Sequence, residues 1–249
     1  FPMILLSFNR FLLKYKMQDF IATVIFLAIM FLAGSLETCV FTVGILWSYA
    51  TLVVPRKSRN FLSRTAMLTG AVLLSLGFSA VQLVPTTALM KESMRSNGIT
   101  FAENSNLSMS PAALSGAVLP EDQFGFMDRK KMPKPYFLQS CFMGLVPLGL
   151  LLAGLYSRIQ CRMFWFWGIL FFVGIFFSMG QYNPLYSWFY DWIPLLKLFR
   201  FPEKFYFLSA FSLVFLVGLG VNALGSESPK NRIYPAPSLF AVLTLVVLL

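Results

Sequence analysis

The sequence has no histidine and few charged residues. Of its 249 residues, 12% are charged, whereas 57% are hydrophobic and 28 are phenylalanine. Without histidine, the chain lacks the usual general base, the Ser–His and Cys–His nucleophile systems and the commonest transition-metal ligand. Any chemistry in this chain must therefore use carboxylates or fixed positive charge.

Cysteine is scarce as well. The three cysteines, Cys39, Cys141 and Cys161, lie in or near apolar segments and have no Cys-x-x-Cys spacing. Their positions predict neither a disulfide framework nor a zinc site. We therefore expect no bound cofactor.

The long apolar runs predict an integral membrane protein, because so little polar surface cannot keep a chain of this length folded in water. Inside lipid only helices and closed barrels satisfy the backbone, and these runs lack the alternation of barrel strands. We predict an all-α fold, a polytopic transmembrane helical bundle with six spans of nearly 20 residues and a truncated seventh from residue 238. The six predicted spans are 20–36, 39–54, 65–84, 137–156, 163–180 and 205–224.

The domain organisation follows from these spans. We interpret residues 1–249 as a single membrane domain, incomplete at both ends, because the chain begins without Met and ends inside an apolar run shorter than a span. Two segments outside the spans are predicted as an extracytoplasmic loop, 85–136, and an interfacial aromatic segment, 181–200. Within the loop, Ser110-Pro111 is typical of the start of a short helix.

The interfacial aromatic segment contains a predicted helix that begins at Asn183-Pro184. Residues at i, i+3, i+4 and i+7 give this helix one apolar face, formed by Leu185, Trp188, Phe189 and Trp192. Aromatic residues of this kind usually sit at the level of the lipid headgroups. A sugar-stacking platform is the alternative interpretation. The expected belt comprises Tyr182, Tyr186, Trp188, Tyr190 and Trp192.

Basic residues predict the orientation in the membrane. Eleven of the 20 lysines and arginines lie on one side, mostly in short links, and nine lie on the other, largely within a long loop. Because short basic links stay in the cytoplasm, we place 55–64 and 157–162 there and 85–136 and 181–202 outside. The net charge of +10 arises at span ends, which indicates anchors to anionic lipid rather than a nucleic-acid surface.

A charged cluster precedes the sixth span. Pro202 is typical of a first helical residue, so Glu203 and Lys204 fall in the first turn, next to Arg200. The helix dipole disfavours a cation such as Lys204 there by roughly 0.3–1 kcal/mol unless an anion accompanies it. One interpretation is a cradle for a lipid-linked phosphate. The other is snorkelling of both cations to bulk lipid phosphates, with Glu203 as a partner.

Three further residues are candidates for a site. Lys91 and Arg95 lie four residues apart on one predicted helical face and could extend the positive site, or could form a solvated edge. Glu37, which with Glu203 forms a possible polar site, lies between two apolar runs; it could act as a general base or ligand, or could be a solvated turn residue. Three acids of the long loop could contribute to a divalent-ion site, but their spacing matches no defined calcium loop, so we interpret them as solvated: Glu121, Asp122 and Asp128.

Several stretches together resemble the YfhO family of bacterial multi-pass membrane proteins, which is related to the GT-C type of glycosyltransferases. The resemblance covers the chain from about residue 34 to residue 224. The order and spacing of the matching stretches support the resemblance more than any single motif does. The matching stretches are GSLETCVF (34–41), VQLVPTTALMKESMRSNG (81–98), SMSPAALSGAVLPEDQFG (108–125), GQYNPLYSWFYDWIPLLKLFRFPEKFYFL (180–208) and GLGVNAL (218–224).

The resemblance implies a protein of the bacterial inner membrane that handles a sugar on a polyprenyl-phosphate carrier at the extracytoplasmic face. It also implies a catalytic acid in an outer loop upstream of this sequence, so we assign no catalytic residue here. The leading hypothesis is a glycosyltransferase whose partners are membrane lipids and the lipid-linked donor. A transporter or flippase of lipid-linked sugars and a non-catalytic membrane scaffold are the alternatives. The sequence does not define an oligomeric state.

Overall fold

A computed structural model describes residues 1–54, 61–92, 100–118, 141–158, 161–193, 196–197 and 199–224. All regular secondary structure in these ranges is helical, which confirms the all-α prediction for this part of the chain. The chain separates into two compact units, Phe1–Gly98 and Ile99–Leu249. The single membrane domain over 1–249 stays a prediction.

The described residues of the first unit form five helices. The short connection between the second and third passes through Gly34, whose φ of 79° is a left-handed conformation that glycine adopts without strain. The turn therefore lies at residues 33–35, earlier than the gap at 37–38 between the predicted spans, and Glu37 belongs to α3 rather than to the turn. The helices are α1 (Pro2–Lys14), α2 (Met17–Leu32), α3 (Leu36–Leu52), α4 (Phe61–Phe78) and α5 (Ala80–Glu92).

Helix α1 was not predicted. It is 13 residues long, too short for a search for spans to find. One face of the helix is apolar and packs against α2. A hydrogen bond of 3.0 Å from Thr23 Oγ1 to Ser7 Oγ joins the two helices. The apolar face consists of Ile4, Leu5, Phe8, Phe11 and Leu12, all of which are buried.

The predicted third span, 65–84, is two helices rather than one. Helix α4 ends at Phe78 and α5 begins at Ala80. Pro85 lies inside α5, where it lacks the N–H that would otherwise bond to the Val81 carbonyl. Buried serines at the break hold α2: Ser75 Oγ donates to the Val24 carbonyl at 3.0 Å, and Ser79 Oγ donates to the Ala28 carbonyl at 3.1 Å.

The second unit is built around a helix that packs against two others. Helix α11 contacts both α8 and α9 along its length. Two short 3-10 turns, Gly180–Tyr182 and Pro202–Phe205, precede α10 and α11 respectively. The helices of this unit are α6 (Phe101–Asn104), α7 (Pro111–Ser115), α8 (Leu145–Arg158), α9 (Arg162–Ser178), α10 (Tyr186–Trp192) and α11 (Tyr206–Leu224).

Small residues let α11 approach its neighbours closely. A Cβ added to Gly174 of α9 would lie 2.7 Å from the Ser209 nitrogen, and one added to Gly220 would collide with the Leu150 carbonyl of α8. Ser209 Oγ donates to the Phe171 carbonyl at 2.7 Å. Close backbone approach through small residues and interhelical hydrogen bonds is typical of membrane helix packing.

Among the residues that the structure describes, two helices have the length and hydropathy of a membrane span, Phe61–Phe78 and Pro202–Asn222. Three apolar helices are shorter, Met17–Leu32, Ala80–Leu89 and Arg162–Ser178. By length and composition, the two longer helices suggest a membrane protein. The described part of the chain contains fewer helices of spanning length than the six predicted spans. The predicted seventh run lies outside the described residues.

The predicted fourth span, 137–156, is wrong at its start. Residues 141–144 are not helical, and α8 begins at Leu145 with 14 residues. Gly144 has a φ of 86°, a left-handed conformation that an α-helix cannot contain, so the helix starts after it. Residues 137–140 lie outside the described ranges.

Candidate functional site

The charged segment before α11 begins the helix as predicted. Phe201 is the N-cap, Pro202 follows at the first helical position, and the first turn is a 3-10 turn that contains Glu203 and Lys204. Phe201 has a φ of 71°, which is rare for a residue with a side chain. Such a conformation persists only where surrounding contacts fix it. The contacts of the neighbouring residues therefore hold this segment.

The two predicted phosphate-binding cations share the ring of Phe201. The guanidinium carbon of Arg200 lies 4.9 Å from the ring centroid, and Lys204 Nζ lies 5.5 Å from it. Each cation is attracted to the ring face. The structure thus places both Arg200 and Lys204 beside the ring of Phe201.

A third cation lies on the same segment and was missed in the sequence. Lys197 Nζ lies 5.6 Å from the centroid of the Tyr190 ring. Tyr190 in turn packs edge-on against Phe101, with centroids 5.5 Å apart. Lys197 carries no sequence signal, since its aromatic partner is known only from the fold. We define Lys197, Arg200 and Lys204 as the cation segment.

The carboxylate of Glu103 interacts electrostatically with Arg200 of the cation segment. Glu103 and Thr100 form a capping box at the start of α6, in which the Glu103 nitrogen donates to Thr100 Oγ1 at 3.3 Å and the Thr100 nitrogen donates to Glu103 Oε2 at 3.1 Å. These bonds to the Thr100 backbone and hydroxyl lower the pKa of Glu103, and the charge of Arg200 lowers it further. An incoming anion therefore competes with Glu103 for Arg200. The Thr-x-x-Glu spacing was a sequence signal for this box.

Glu203 does not share the surface with Lys204. Its side chain is 0% exposed, and its backbone nitrogen donates to the Leu107 carbonyl at 3.3 Å. Glu203 is therefore a buried residue of the helix start and not part of the exposed surface. Tertiary packing of residues 105–109 against the helix start covers this position, which sequence periodicity does not reveal.

Asn104 is the buried centre of the hydrogen bonds around the cation segment. Its side chain is 0% exposed. Asn104 Nδ2 donates to the carbonyls of Leu196, at 2.9 Å, and Phe199. Its Oδ1 accepts a hydrogen bond of 2.7 Å from the Tyr186 hydroxyl, and its backbone carbonyl accepts one of 3.3 Å from the Phe201 nitrogen. Burial raises the pKa of Tyr186, so the phenol keeps the proton that it donates.

Ser108 links the end of α9 to the same region. Its hydroxyl accepts a hydrogen bond of 3.0 Å from the Gln181 nitrogen and donates one of 2.6 Å to the Ser105 carbonyl. Gly180, with a φ of 44°, lies so close that an added Cβ would collide with Ser108 Oγ and lie 2.8 Å from the Pro202 ring. Residues 105–109, the end of α9 and the start of α11 therefore fix one another.

The predicted interfacial helix is present as α10, and its predicted apolar face is turned outward. Leu185 and Trp188 are each 53% exposed and Trp192 is 72% exposed, whereas Tyr186 and Tyr190 are buried. These two tyrosines therefore do not form part of an exposed aromatic belt. Their rings face the interior of the second unit, where the hydroxyl of Tyr186 donates to Asn104 and the ring of Tyr190 packs against Phe101.

The remaining candidates lie in the first unit. Glu37 is half-buried in the first turn of α3, where the helix dipole favours a carboxylate. Lys91 belongs to α5, which ends at Glu92. Arg95, and with it the predicted pairing with Lys91, lies outside the described residues, as do the loop acids 121–128. No group of three or more His, Cys, Asp and Glu residues that could hold a metal occurs within the described ranges.

Comparison with known proteins adds no relative. No protein-family model matches the chain, and neither a curated protein nor a solved structure matches it. The function must therefore be argued from the geometry of the second unit. Its distinctive feature is a segment of cations on aromatic rings directly before a helix of spanning length.

Proposed function

We propose that this chain is part of a multi-pass protein of the bacterial inner membrane, in which Arg200 and Lys204 bind the phosphate of a lipid-linked sugar at the extracytoplasmic face. In the leading form of the proposal the whole protein is a glycosyltransferase that uses a polyprenyl-phosphate donor. The supporting observation is the pair of cations that share the Phe201 ring at the start of Pro202–Asn222.

The position of this pair suits a lipid phosphate. The helix that follows is apolar over the length of a bilayer core, so its first turn lies at the level of the headgroups when the helix spans. Guanidinium and ammonium groups form strong charge-assisted hydrogen bonds with phosphate. Glu103 near Arg200 limits this attraction, so binding requires an anion that competes with one carboxylate.

The exposed face of helix α10 also supports a position of this unit at the level of the lipid headgroups. Leu185, Trp188 and Trp192 form an exposed apolar face, which would be costly in water but suits the boundary between headgroups and acyl chains. The rings of Trp188 and Trp192 contact each other, with centroids 5.2 Å apart. The exposed face thus provides a membrane contact on the same unit as the cation segment.

The test measures binding of farnesyl phosphate, a short prenyl phosphate, to the purified chain in zwitterionic nanodiscs, with farnesol as the uncharged control. We expect tighter binding of farnesyl phosphate than of farnesol. The double variant Arg200→Gln/Lys204→Gln should lose this preference, whereas Arg10→Gln/Lys14→Gln, on exposed residues of α1, should keep it. Equal binding of both ligands by the unmodified chain would overturn the proposal.

Two further arms separate the alternatives. In the first, dioleoyl phosphatidic acid competes with farnesyl phosphate at equal concentration. Displacement of farnesyl phosphate indicates that the cations snorkel to bulk lipid phosphate and do not form a dedicated carrier site. In the full-length protein, movement of a lipid-linked sugar across vesicles without transfer to an acceptor indicates the transporter. Transfer that is lost in Arg200→Gln/Lys204→Gln indicates the glycosyltransferase.

A further inference from the structure

The cation segment has an unusual backbone that must be held in place. It runs from Lys197 to Lys204 and includes Phe201, whose left-handed conformation is uncommon for a residue with a side chain. Phe201 also carries the ring that both Arg200 and Lys204 contact. A small change in the backbone at Phe201 would therefore separate the two charges.

Asn104 makes the contacts that fix this backbone. Both protons of its side-chain amide are used, one on the Leu196 carbonyl and one on the Phe199 carbonyl, so that the amide bridges the residue before Lys197 and the residue before Arg200. Its own backbone carbonyl accepts from the Phe201 nitrogen. One buried residue thus holds three points within the six positions from 196 to 201.

The amide side chain is the group that these contacts require. Two carbonyl oxygens need two donors, and the Tyr186 hydroxyl needs an acceptor, which a short amide supplies together. A carboxylate would lack both donors and would face two carbonyl oxygens. An alanine would leave two buried carbonyls and one buried hydroxyl without these bonds.

We propose that Asn104 is the positioning residue of the phosphate site, and that it acts by holding Lys197 and Arg200 in the arrangement that binds the anion. This inference rests on the proposed function, because Arg200 is one of the two cations of the proposed site; Lys197 extends that site. Tyr186 orients the side-chain amide of Asn104 through the hydrogen bond from its hydroxyl to Oδ1. Asn104 itself touches no ligand.

The experiment is a double-mutant cycle on affinity for farnesyl phosphate in nanodiscs. Asn104→Ala should weaken binding about tenfold, the effect expected when a buried hydrogen-bonding group is lost. The same substitution in the Lys197→Gln/Arg200→Gln background should change affinity no further, because its targets are already absent. Additive losses would overturn the proposal, since they would mean that Asn104 acts elsewhere.

A matched variant separates positioning from loss of stability. Ser209→Ala removes a buried interhelical hydrogen bond in the same unit, away from the cation segment. It should lower the melting temperature yet leave affinity unchanged. If Asn104→Ala does not fold, Tyr186→Phe removes one hydroxyl only and should weaken binding about threefold, again with no further effect in the background without Lys197 and Arg200. Full affinity in a folded Asn104→Ala variant would overturn the proposal.

Amide hydrogen exchange distinguishes failure of this inference from failure of the proposed function. In Asn104→Ala, exchange should rise in residues 196–201 and stay unchanged in the middle of α11. If the unmodified chain does not prefer farnesyl phosphate to farnesol, the proposed function fails, and raised exchange confined to 196–201 still supports positioning by Asn104. Unchanged exchange in 196–201 would overturn it.

Discussion

Arg64 Nη1 lies 3.0 Å from the carbonyl oxygen of Ala50, near the end of α3, and 2.8 Å from that of Val54. Arg64 is only 3% exposed. Its interpretation as a solvated anchor to anionic lipid is therefore wrong. The guanidinium instead satisfies carbonyls that a helix end leaves open, and its positive charge complements the negative end of the helix dipole.

Replacement of Arg64 by methionine should destabilise the first unit. Arg64→Met keeps the length of the side chain but removes both hydrogen bonds to the end of α3, so we expect a loss of about 2 kcal/mol in the free energy of unfolding. Chemical denaturation of the purified chain in micelles measures it. Arg10→Met, at an exposed arginine of the same unit, is the control and should be nearly neutral.

A methyl group at Gly174 should be poorly tolerated. Its Cβ would lie 2.7 Å from the Ser209 nitrogen and 2.9 Å from the Phe205 carbonyl, both backbone atoms that yield only if α11 moves. We expect Gly174→Ala to lower stability by roughly 1–3 kcal/mol, measured by thermal unfolding in micelles. Gly168, on the same helix, has open space around it. Gly168→Ala should be neutral or stabilising by up to about 1 kcal/mol, and an equal loss in both variants would contradict the packing argument.

The titration of Glu103 should depend first on Thr100. The folded-state pKa of Glu103 is lowered by the bonds to Thr100, and then by Arg200. Its contribution to stability is therefore present above the ordinary glutamate pKa and is lost as the pH falls through the lowered folded value. We expect NMR titration of the carboxyl carbon to give a pKa below the ordinary value.

Two variants rank the causes of this shift. Thr100→Ala removes the capping hydroxyl and should raise the pKa of Glu103 more than Arg200→Gln does. The reverse order would show that Arg200 contacts Glu103 more closely than the structure indicates.

Trp192 should report contact with lipid near the headgroups. In variants that keep a single tryptophan, Trp192 should be quenched more strongly by lipids brominated high on the acyl chain than by those brominated near its end, because α10 is proposed to lie at the interface. Trp167, which is 0% exposed, is the control and should be quenched weakly by both. Equal quenching of the two tryptophans would contradict an interfacial α10.

The sequence determined the local features of this protein. The helical class follows from continuous apolar runs, which do not depend on what packs against them. The start of the last helix follows from Pro202, whose ring fixes one backbone angle and has no N–H to satisfy. The short helix after Ser110 is a similar case, since its hydroxyl accepts from the nitrogen of Ala113, three residues on.

The tertiary structure decided the site. Asn104 donates to Leu196, which lies 92 positions away along the chain, and accepts from Tyr186, which lies 82 positions away. The residues near Asn104 in the sequence predict neither partner. The burial of Glu203, whose nitrogen donates to the carbonyl of the distant Leu107, is hidden in the same way. A helix start is read locally because its hydrogen bonds close within one turn, whereas the position of a charge depends on segments that only folding brings together.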